Sequence, residues 1–327
     1  MRLKKFVLVI GLLGTWLTGW SIPALAMPPA AEMQPEHVVL FVLEGFGQDS
    51  LKTGAMPVVS TLVKNGSVAW SAMAVNPPLR LPTMASIFTG LPVEKHGMDW
   101  DTFDFARGYP RPPLMFDYLD LGGGKDTAVF FMDESLYQLA RPSSYVDYQI
   151  CGRLRPECRA ATVVMYIKEY FKKGEQGGYN HYVYGLPHLL IVHLPDAGRA
   201  GSEHGWTSKA YAAGLKDVDD AIGSILGIYK TYKLLDHTMV IVTALNGIGE
   251  SKQNGSLPHV PWIASGANIK AGHTIATPVS IIDTGATVMR AFGLETHMEW
   301  QSRPVEEIFR ASRAVVHNQP ALNLHGQ

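Results

Sequence analysis

The sequence predicts an α/β protein built as a three-layer sandwich, with a mostly parallel central sheet and helices on both faces. Short runs of β-branched and other apolar residues recur along the chain, helical stretches separate them, and glycine or polar residues follow their ends. Strands that alternate with helices form parallel sheets that are covered on both faces. The 327 residues are 46% hydrophobic and 17% charged, which is too apolar for a disordered chain.

The first two predicted units lie in the first half of the chain. The continuous apolar run His37–Leu43 has the length and composition of a buried strand, and it ends at Glu44. A helical stretch follows at Pro57–Lys64. Further on, a helix around Leu114–Leu119 precedes a strand at Thr127–Phe131. These segments predict repeated strand and helix pairs.

The second half continues the same alternation. Strands are predicted at Leu189–Leu194 and Thr238–Thr243, with a helix at Ser208–Tyr229 between them and a final helix at about Ile281–Phe292. In open parallel sheets, the functional loops follow the carboxyl ends of the strands. This rule places five residues on one rim of the predicted sheet: Glu44, Asp196, Leu245, Asn246 and Gly247.

The first 26 residues have the pattern of a secretory signal peptide. Three basic residues within the first five precede an apolar stretch that ends in Ala24-Leu25-Ala26, the small-x-small pattern that signal peptidase cleaves. We therefore predict cleavage after Ala26 and a periplasmic or secreted protein. The alternative is an uncleaved membrane anchor, because Phe6–Leu25 has roughly the 20 residues that a spanning helix needs.

The rest of the chain is predicted to form one domain. A linker spans residues 27–36, the domain spans 37–312, and a polar tail spans 313–327. Residues from about 101 to 178 are predicted to be an insertion that carries both cysteines. Because an exported protein meets an oxidising environment, Cys151 and Cys158 are expected to form a local disulfide. These two residues alone do not make a structural zinc site, which needs four ligands.

The charge of the chain restricts its partners. The formal charge is −1, and loss of the basic first segment would make it more negative. Nucleic-acid-binding domains present a strongly basic surface instead. We therefore expect no nucleic-acid partner, and contact with a membrane only if the first segment is not cleaved.

Five sequence blocks follow one another along the chain. They are Val42-Leu43-Glu44-Gly45; Pro77–Pro82 with Thr89-Gly90-Leu91-Pro92 and Lys95-His96-Gly97; Pro195-Asp196 with His204–Ser208 and Tyr211; Val242-Thr243; and Val260-Pro261-Trp262 before Gly266. In order and spacing, from about His37 to Phe309, they resemble the alkaline phosphatase superfamily and above all its type I phosphodiesterase/nucleotide pyrophosphatase branch. The resemblance implies an alkaline-phosphatase-like fold. For an active member it also implies two metal ions, usually zinc, that hold the attacking and leaving oxygens while a Thr or Ser attacks phosphorus.

The resemblance also assigns roles to positions of this sequence, and most residues at those positions do not suit the roles. The nucleophile position falls on Arg80, whose guanidinium stays protonated and cannot attack phosphorus. The metal-ligand positions fall on Glu44, Asp196, Leu245, Asn246 and Asn254. Leucine offers no ligand atom, and neutral amides are poor ligands for zinc. His204 lies near this set, but we expect it to be an ordinary rim or core histidine, and we expect no cofactor.

These substitutions lead to one structural and three functional hypotheses. Arg80 is expected to form an ion-pair network with Glu44 and Asp196 in place of the metals. The first functional hypothesis is an exported, catalytically degenerate protein that binds a small anionic ligand or an envelope protein. The second is an atypical phosphoric- or sulfuric-ester hydrolase, with zinc or another divalent cation bound weakly or with Arg80 as an anion clamp. The third is a purely structural envelope component.

Overall fold

In the computed structural model, an eight-stranded sheet lies between two groups of helices. The structure describes residues 34–140, 146–150, 158–175, 186–248 and 259–310. The strands are β1 His37–Leu43, β2 Gly66–Met73, β3 Thr127–Phe131, β4 Val146–Ile150, β5 Leu189–Leu194, β6 Thr238–Ala244, β7 His259–Gly266 and β8 His273–Thr274. Their order across the sheet is β4-β3-β5-β1-β6-β7-β2-β8.

The sheet is parallel from β4 to β6 and carries an antiparallel strand beyond. β1 runs parallel to β5 and β6, and β3 runs parallel to β5 and β4. β7 is antiparallel to both β6 and β2. The carboxyl ends of β3, β5, β1 and β6 are therefore neighbours along one edge of the sheet.

The helices cover both faces of the sheet. They are α1 Gln48–Lys52, α2 Pro57–Lys64, α3 Arg80–Thr89, α4 Val93–His96, α5 Met115–Gly123, α6 Ala160–Glu175, α7 Asp196–His204, α8 Lys209–Thr231 and α9 Asp283–Ala291. Short 3₁₀ helices lie at Phe105–Arg107, Glu134–Leu139, Leu235–His237 and Glu306–Ile308. On one face, α2, α6 and α7 contact α8, and on the other face α4, α5 and α9 contact α3.

The predicted fold class is confirmed. The strands at His37–Leu43, Thr127–Phe131 and Leu189–Leu194 have the bounds that the sequence predicted, and every residue of these three strands is buried. A strand that is buried on both faces has no reason to alternate apolar and polar residues, which is why continuous apolar runs marked them. Within the described ranges, no helix is both long and apolar enough to cross a bilayer.

The prediction that residues 101–178 form an insertion needs correction. Two strands of this segment, β3 and β4, belong to the central sheet, and β3 pairs directly with β5. The segment therefore extends the main sheet, because its apolar strand finds hydrogen-bonding partners at the edge of β5. Cys158 is buried, but Cys151 lies outside the described residues, so the disulfide stays a prediction. The predicted signal peptide and most of the linker and tail, residues 1–33 and 311–327, also lie outside them.

Candidate functional site

Helix α3 holds Arg80 at the carboxyl edge of the sheet. Arg80 is its first residue, and all of the following residues of the helix are buried. The Asp101 carboxylate accepts a hydrogen bond from the backbone N–H of Leu81 at 2.7 Å and so satisfies an open donor of the first turn. The helix ends at Gly90, which adopts φ +63°, a conformation that glycine reaches at little cost. Burial of the helix fixes the starting point of the Arg80 side chain.

The Arg80 guanidinium binds the Glu44 carboxylate through two hydrogen bonds. Arg80 Nε lies 2.5 Å from Glu44 Oε1, and Arg80 Nη2 lies 3.1 Å from Glu44 Oε2. The side chain of Arg80 is 20% exposed and that of Glu44 only 6%. A fork of two parallel bonds is the strongest arrangement of this pair. The predicted contact between Arg80 and Glu44 is therefore present in the structure.

A third side chain, His193 of β5, completes the contacts of Glu44. Its Nε2 lies 2.7 Å from Glu44 Oε1, and the backbone N–H of Met132 points to its Nδ1 at 3.4 Å. Because Nδ1 accepts that N–H, Nε2 carries the ring proton and donates it to Glu44. His193 is fully buried, so this donor is available only to the carboxylate.

The surroundings keep both charges of the Glu44–Arg80 pair. Burial opposes ionisation of Glu44, but the hydrogen bond from His193, together with the hydrogen bonds and charge of Arg80, outweighs burial and lowers the pKa of Glu44 to about 2. Burial also works against the charge of Arg80, yet Glu44, Asp133 and Asp101 together raise the pKa of Arg80 above its ordinary value. The pair stays ionised at any physiological pH.

Two further carboxylates face the other side of the guanidinium. Arg80 Nη1 lies 3.3 Å from Asp133 Oδ2 and 3.9 Å from Asp101 Oδ2. Burial raises the pKa of Asp101, against the hydrogen bond from Leu81 and the charge of Arg80. Arg199 Nη2 lies 3.6 Å from the same Asp133 oxygen, and Arg199 Nη1 donates to the carbonyl of Cys158 at 2.9 Å.

We call this set of six side chains the Arg80 network: Glu44, Arg80, Asp101, Asp133, His193 and Arg199. Three carboxylates and two guanidiniums nearly balance in charge, and the histidine serves as a donor. The set offers no hydroxyl that could attack an ester. Thr83, one turn along α3, is fully buried, and its hydroxyl has no hydrogen-bond partner in the described part of the chain.

Asp196 does not join the network, and the predicted ion pair between Arg80 and Asp196 is wrong. Asp196 Oδ1 accepts the backbone N–H of Ala160 at 2.9 Å, so this carboxylate caps the start of α6. Burial raises its pKa, although the Ala160 hydrogen bond and the charge of Arg199 act in the opposite direction. Arg80 does not reach Asp196 because the carboxylates of Glu44, Asp133 and Asp101 surround its guanidinium instead.

The residues that follow β6 connect two strands. Leu245 is fully buried, and its N–H donates to the carbonyl of Leu43 at 2.8 Å. Asn246 Oδ1 accepts the N–H of Gly45 at 2.8 Å. These residues hold the end of β1 to the end of β6. Asn254 lies outside the described residues.

The packing of Gly45 explains another part of the sequence pattern. Gly45 adopts φ +65°, and a Cβ atom there would lie 2.7 Å from both Gly198 Cα and the Trp206 ring. The Tyr211 hydroxyl donates to the Gly45 carbonyl at 2.8 Å. By contrast, His204 is more than half exposed, and its nearest charged group is Glu203 at 3.7 Å. The sequence left open whether His204 is a rim or a core residue, and the structure places it at the surface.

The residues present do not fit a dinuclear zinc centre. The Glu44 carboxylate binds Arg80 and His193, and the Asp196 carboxylate caps a helix. The side chain of Leu245 has no atom that could bind a metal ion. The described ranges contain no group of three His, Cys, Asp or Glu side chains placed to hold an ion. A dication beside Arg80 would also meet a fixed positive charge.

Sequence reasoning missed four members of the network, Asp101, Asp133, His193 and Arg199. Asp133 follows β3 in the same way that Glu44 follows β1, so the rule of strand ends could have found it. His193 is the one polar residue of the apolar strand Leu189–Leu194, a weak signal for a buried partner. Asp101 gave no local signal, because its role depends on the loop that brings it back to α3.

Solved structures with the same fold include phosphodiesterases and sulfatases. Murine ectonucleotide pyrophosphatase/phosphodiesterase 5, in an inactive form with AMP, has a TM-score of 0.64 and 14% identity, over 84% of this chain and 100% of that chain. A protein in complex with its substrate D-glucosamine-2-N,6-O-disulfate has a TM-score of 0.64 and 12% identity, over 85% and 81% of the two chains. A 2-O glycosaminoglycan sulfatase has a TM-score of 0.63 and 11% identity, over 83% and 73%.

The fold is therefore that of the alkaline phosphatase superfamily, as the sequence resemblance implied. Within it, the chain belongs to the type I phosphodiesterase/nucleotide pyrophosphatase family, whose model matches residues 38–291. No curated protein matches the sequence. At such low identity the solved structures establish the fold and leave the chemistry to the residues themselves.

Proposed function

We propose that this chain is an exported member of the family that does not hydrolyse esters and acts by binding a small anionic ligand or an envelope protein. The observation that carries the proposal is the Glu44–Arg80 pair. Arg80 stands at the nucleophile position of the family, and the carboxylate at the first metal position accepts two hydrogen bonds from it. The nucleophile position and the first metal position are thus occupied by two side chains that bind each other.

Loss of the nucleophile alone would leave a metal site, and loss of the metals alone would leave a hydroxyl. Here both changes occur together. A metal ion could bind Glu44 only after Arg80 moved away, which would leave a guanidinium without its strongest partner in a mostly buried place. The substitutions at Leu245 and Asn246 remove two further ligand positions, and the Asn246 side chain adds a contact between the ends of β1 and β6. The joint loss of the nucleophile and the metal ligands supports a pocket that keeps the family's shape and binds without catalysis.

The geometry argues against the anion clamp. Arg80 directs Nε and Nη2 at Glu44, and its Nη1 faces Asp133 and Asp101. A phosphate or sulfate that approached Arg80 would have to displace carboxylates and would be repelled by them. We therefore favour binding without hydrolysis over an atypical hydrolase.

Metal content and turnover test the proposal together. The full chain is purified without chelators, its metals are measured by elemental analysis, and it is assayed on a phosphodiester, a phosphomonoester and a sulfate-ester model substrate. We expect no stoichiometric divalent ion and no hydrolysis above the buffer rate. Two equivalents of zinc with turnover that chelation abolishes would overturn the proposal.

Inorganic phosphate and sulfate separate the remaining possibilities. Calorimetric titration compares the unchanged chain with Arg80→Gln and with the control Arg107→Gln, an exposed arginine paired with Asp99. Anion binding that is lost only in Arg80→Gln, in a chain that also turns over one of the ester substrates, would support the clamp over our proposal. A protein that binds neither anion and associates tightly with an envelope component without any ligand would fit the structural hypothesis.

Export is tested by the mass of the mature chain. The basic and apolar pattern of the first 26 residues supports cleavage after Ala26. Protein recovered from outside the cytoplasm should therefore begin at Met27. A protein that keeps residues 1–26 and sediments with membranes would show an anchor instead.

A further inference from the structure

The loop that follows α4 exposes a group of aromatic side chains. Phe105 is 79% exposed, Phe103 is 42% exposed, and Tyr137 from the 3₁₀ helix Glu134–Leu139 is 52% exposed. The rings of Phe103 and Tyr137 meet edge to face with centroids 5.5 Å apart. We call these three residues the aromatic knob. Large apolar side chains that cluster on a surface mark a site of association.

The knob is held in place by a buried amide. Gln138 is almost fully buried, and its Oε1 accepts the N–H of Asp104 at 2.8 Å while its Nε2 donates to the carbonyls of Asp104 and Gly108. On the other side of the loop, the Arg107 guanidinium lies 3.7 Å from the centre of the Trp100 ring. A surface that is already ordered loses little entropy when it binds.

The shape of the knob favours a pocket over a flat partner. The Trp100 ring is covered on one face by Arg107, and the rings of Phe103 and Tyr137 contact each other edge to face. Flat stacking of a sugar ring needs open aromatic faces. The most exposed ring, Phe105, instead projects as a single apolar group that suits an apolar cavity in a protein.

A cavity of about 540 Å³ lies at the base of the same loop. It is lined by Leu91, Lys95, Arg111, Pro112, Glu299 and Gln301. Leu91 and Pro112 supply apolar walls. Its charged residues are Lys95, Arg111 and Glu299, so two positive charges and one negative charge leave the lining positive overall.

The knob has the opposite charge. Asp99 and Asp104 flank it, and Arg107 is the basic residue beside them, paired with Asp99 at 2.8 Å. The negative flank of the knob is thus complementary to the positive lining of the cavity. The backbone N–H of Arg111 donates to the carbonyl of His96 at 3.2 Å and closes the loop, so one loop carries both features.

We propose that two copies of this chain associate about a two-fold axis, with the aromatic knob of each copy in the cavity of the other. A two-fold axis between two complementary features produces the same contact twice and closes the assembly at a dimer. Phe105 enters between Leu91 and Pro112 of the other copy, and Asp104 faces its Lys95. The proposal is independent of the proposed function, because neither feature uses the Arg80 network.

Sedimentation velocity of the purified full chain over a concentration series tests the dimer. We expect a species of twice the chain mass, and Phe105→Ser and Lys95→Glu should each raise the dissociation constant at least ten-fold. The control Met165→Ser removes an apolar side chain that is 54% exposed on α6, on the other face of the sheet, and it should leave the constant unchanged. A chain that stays monomeric at every concentration, or a dimer that Phe105→Ser leaves unchanged, would overturn the proposal.

A mixture of the two variants tests the pairing itself. In a mixed dimer, Phe105 of the Lys95→Glu chain meets the unchanged cavity of the Phe105→Ser chain, so one of the two contacts is intact. The other contact carries both substitutions, but a contact that has lost Phe105 has little left to lose from Lys95→Glu. The mixture should therefore form dimers at a lower concentration than either variant alone. If the mixture forms dimers no better than the single variants, the two aromatic knobs contact each other or the interface lies elsewhere. Either result would show that the proposed arrangement is wrong. Circular dichroism of each variant shows that both remain folded.

Discussion

Replacement of Glu44 by glutamine tests the energetic importance of the Arg80 network. The side chain keeps its size and can still accept the hydrogen bond from His193, but the negative charge that faces Arg80 is gone. A buried guanidinium then loses its main partner, which is the costly way to break a buried ion pair. We expect the protein to fold but with much lower stability at neutral pH.

The magnitude follows from the pKa of Glu44. A carboxyl pKa lowered from 4.5 to about 2 corresponds to about 3 kcal/mol of stability at pH 7. Because the pKa is lower in the folded state, this contribution is complete above pH 4.5 and is lost as the pH falls through about 2. The stability difference between the unchanged chain and Glu44→Gln should therefore shrink to less than half by about pH 3.

Urea unfolding followed by tryptophan fluorescence measures this difference, since the chain contains seven tryptophans. The matched control is Glu306→Gln, because Glu306 accepts hydrogen bonds from Arg290 at 3.0 and 3.2 Å but is largely exposed. An exposed pair contributes no more than about 1 kcal/mol. If Glu44→Gln costs as little as the control, or if its cost is the same at pH 7 and pH 3, our account of the network is refuted.

Three other predictions follow from the packing around the site. Burial lowers the pKa of His96 from 6.5 to about 4. The free energy of unfolding should therefore fall by about 3 kcal/mol as the pH falls from 6.5 to 4. In urea unfolding, His96→Gln should remove most of this dependence on pH. Asp219 accepts the N–H groups of the first turn of α2 at 2.9 Å, so Asp219→Asn should cost about 1 to 2 kcal/mol in the same assay, whereas Asp220→Asn in an exposed pair should cost less than about 1 kcal/mol. Gly45→Ala places a Cβ atom 2.7 Å from neighbouring atoms and should lower the melting temperature far more than Gly54→Ala. Gly54 also has a positive φ, but the space around it is open. Equal effects of the two substitutions would show that backbone strain alone matters.

The fold could be predicted because its signals are local. A strand such as His37–Leu43 is buried along its whole length, and a run of apolar residues records this directly in the sequence. The edge strand at Val146–Ile150 was missed because its sequence, Val-Asp-Tyr-Gln-Ile, contains polar residues that only pairing with β3 explains. Local patterns do not report such pairings, which is also why residues 101–178 resembled an insertion.

The site could be predicted only where chemistry alone decides. Arginine cannot act as a nucleophile in any structure, so the consequence of Arg80 followed from its identity. The residues that bind Arg80 could not be derived in this way. Asp196 and Asp133 both follow strand ends, and only the three-dimensional arrangement sends one to the start of α6 and the other to Arg80.

The parallel sheet itself explains why these substitutions had to come together. The ends of the parallel strands β1 and β3, which lie on either side of β5, bring the carboxylates of Glu44 and Asp133 to one edge, and Asp101 of the returning loop joins them beside the same guanidinium. Carboxylates that converge in a mostly buried place need a cation, and a metal ion or a guanidinium can supply it. Once Arg80 supplies that charge, a metal is no longer needed to hold the edge together, and the remaining ligand positions are free to take other residues, such as the buried Leu245 and Asn246, whose side chain joins the ends of β1 and β6. A single reverse change at Arg80 would therefore leave the carboxylates without a cation and still lack the ligands to bind one.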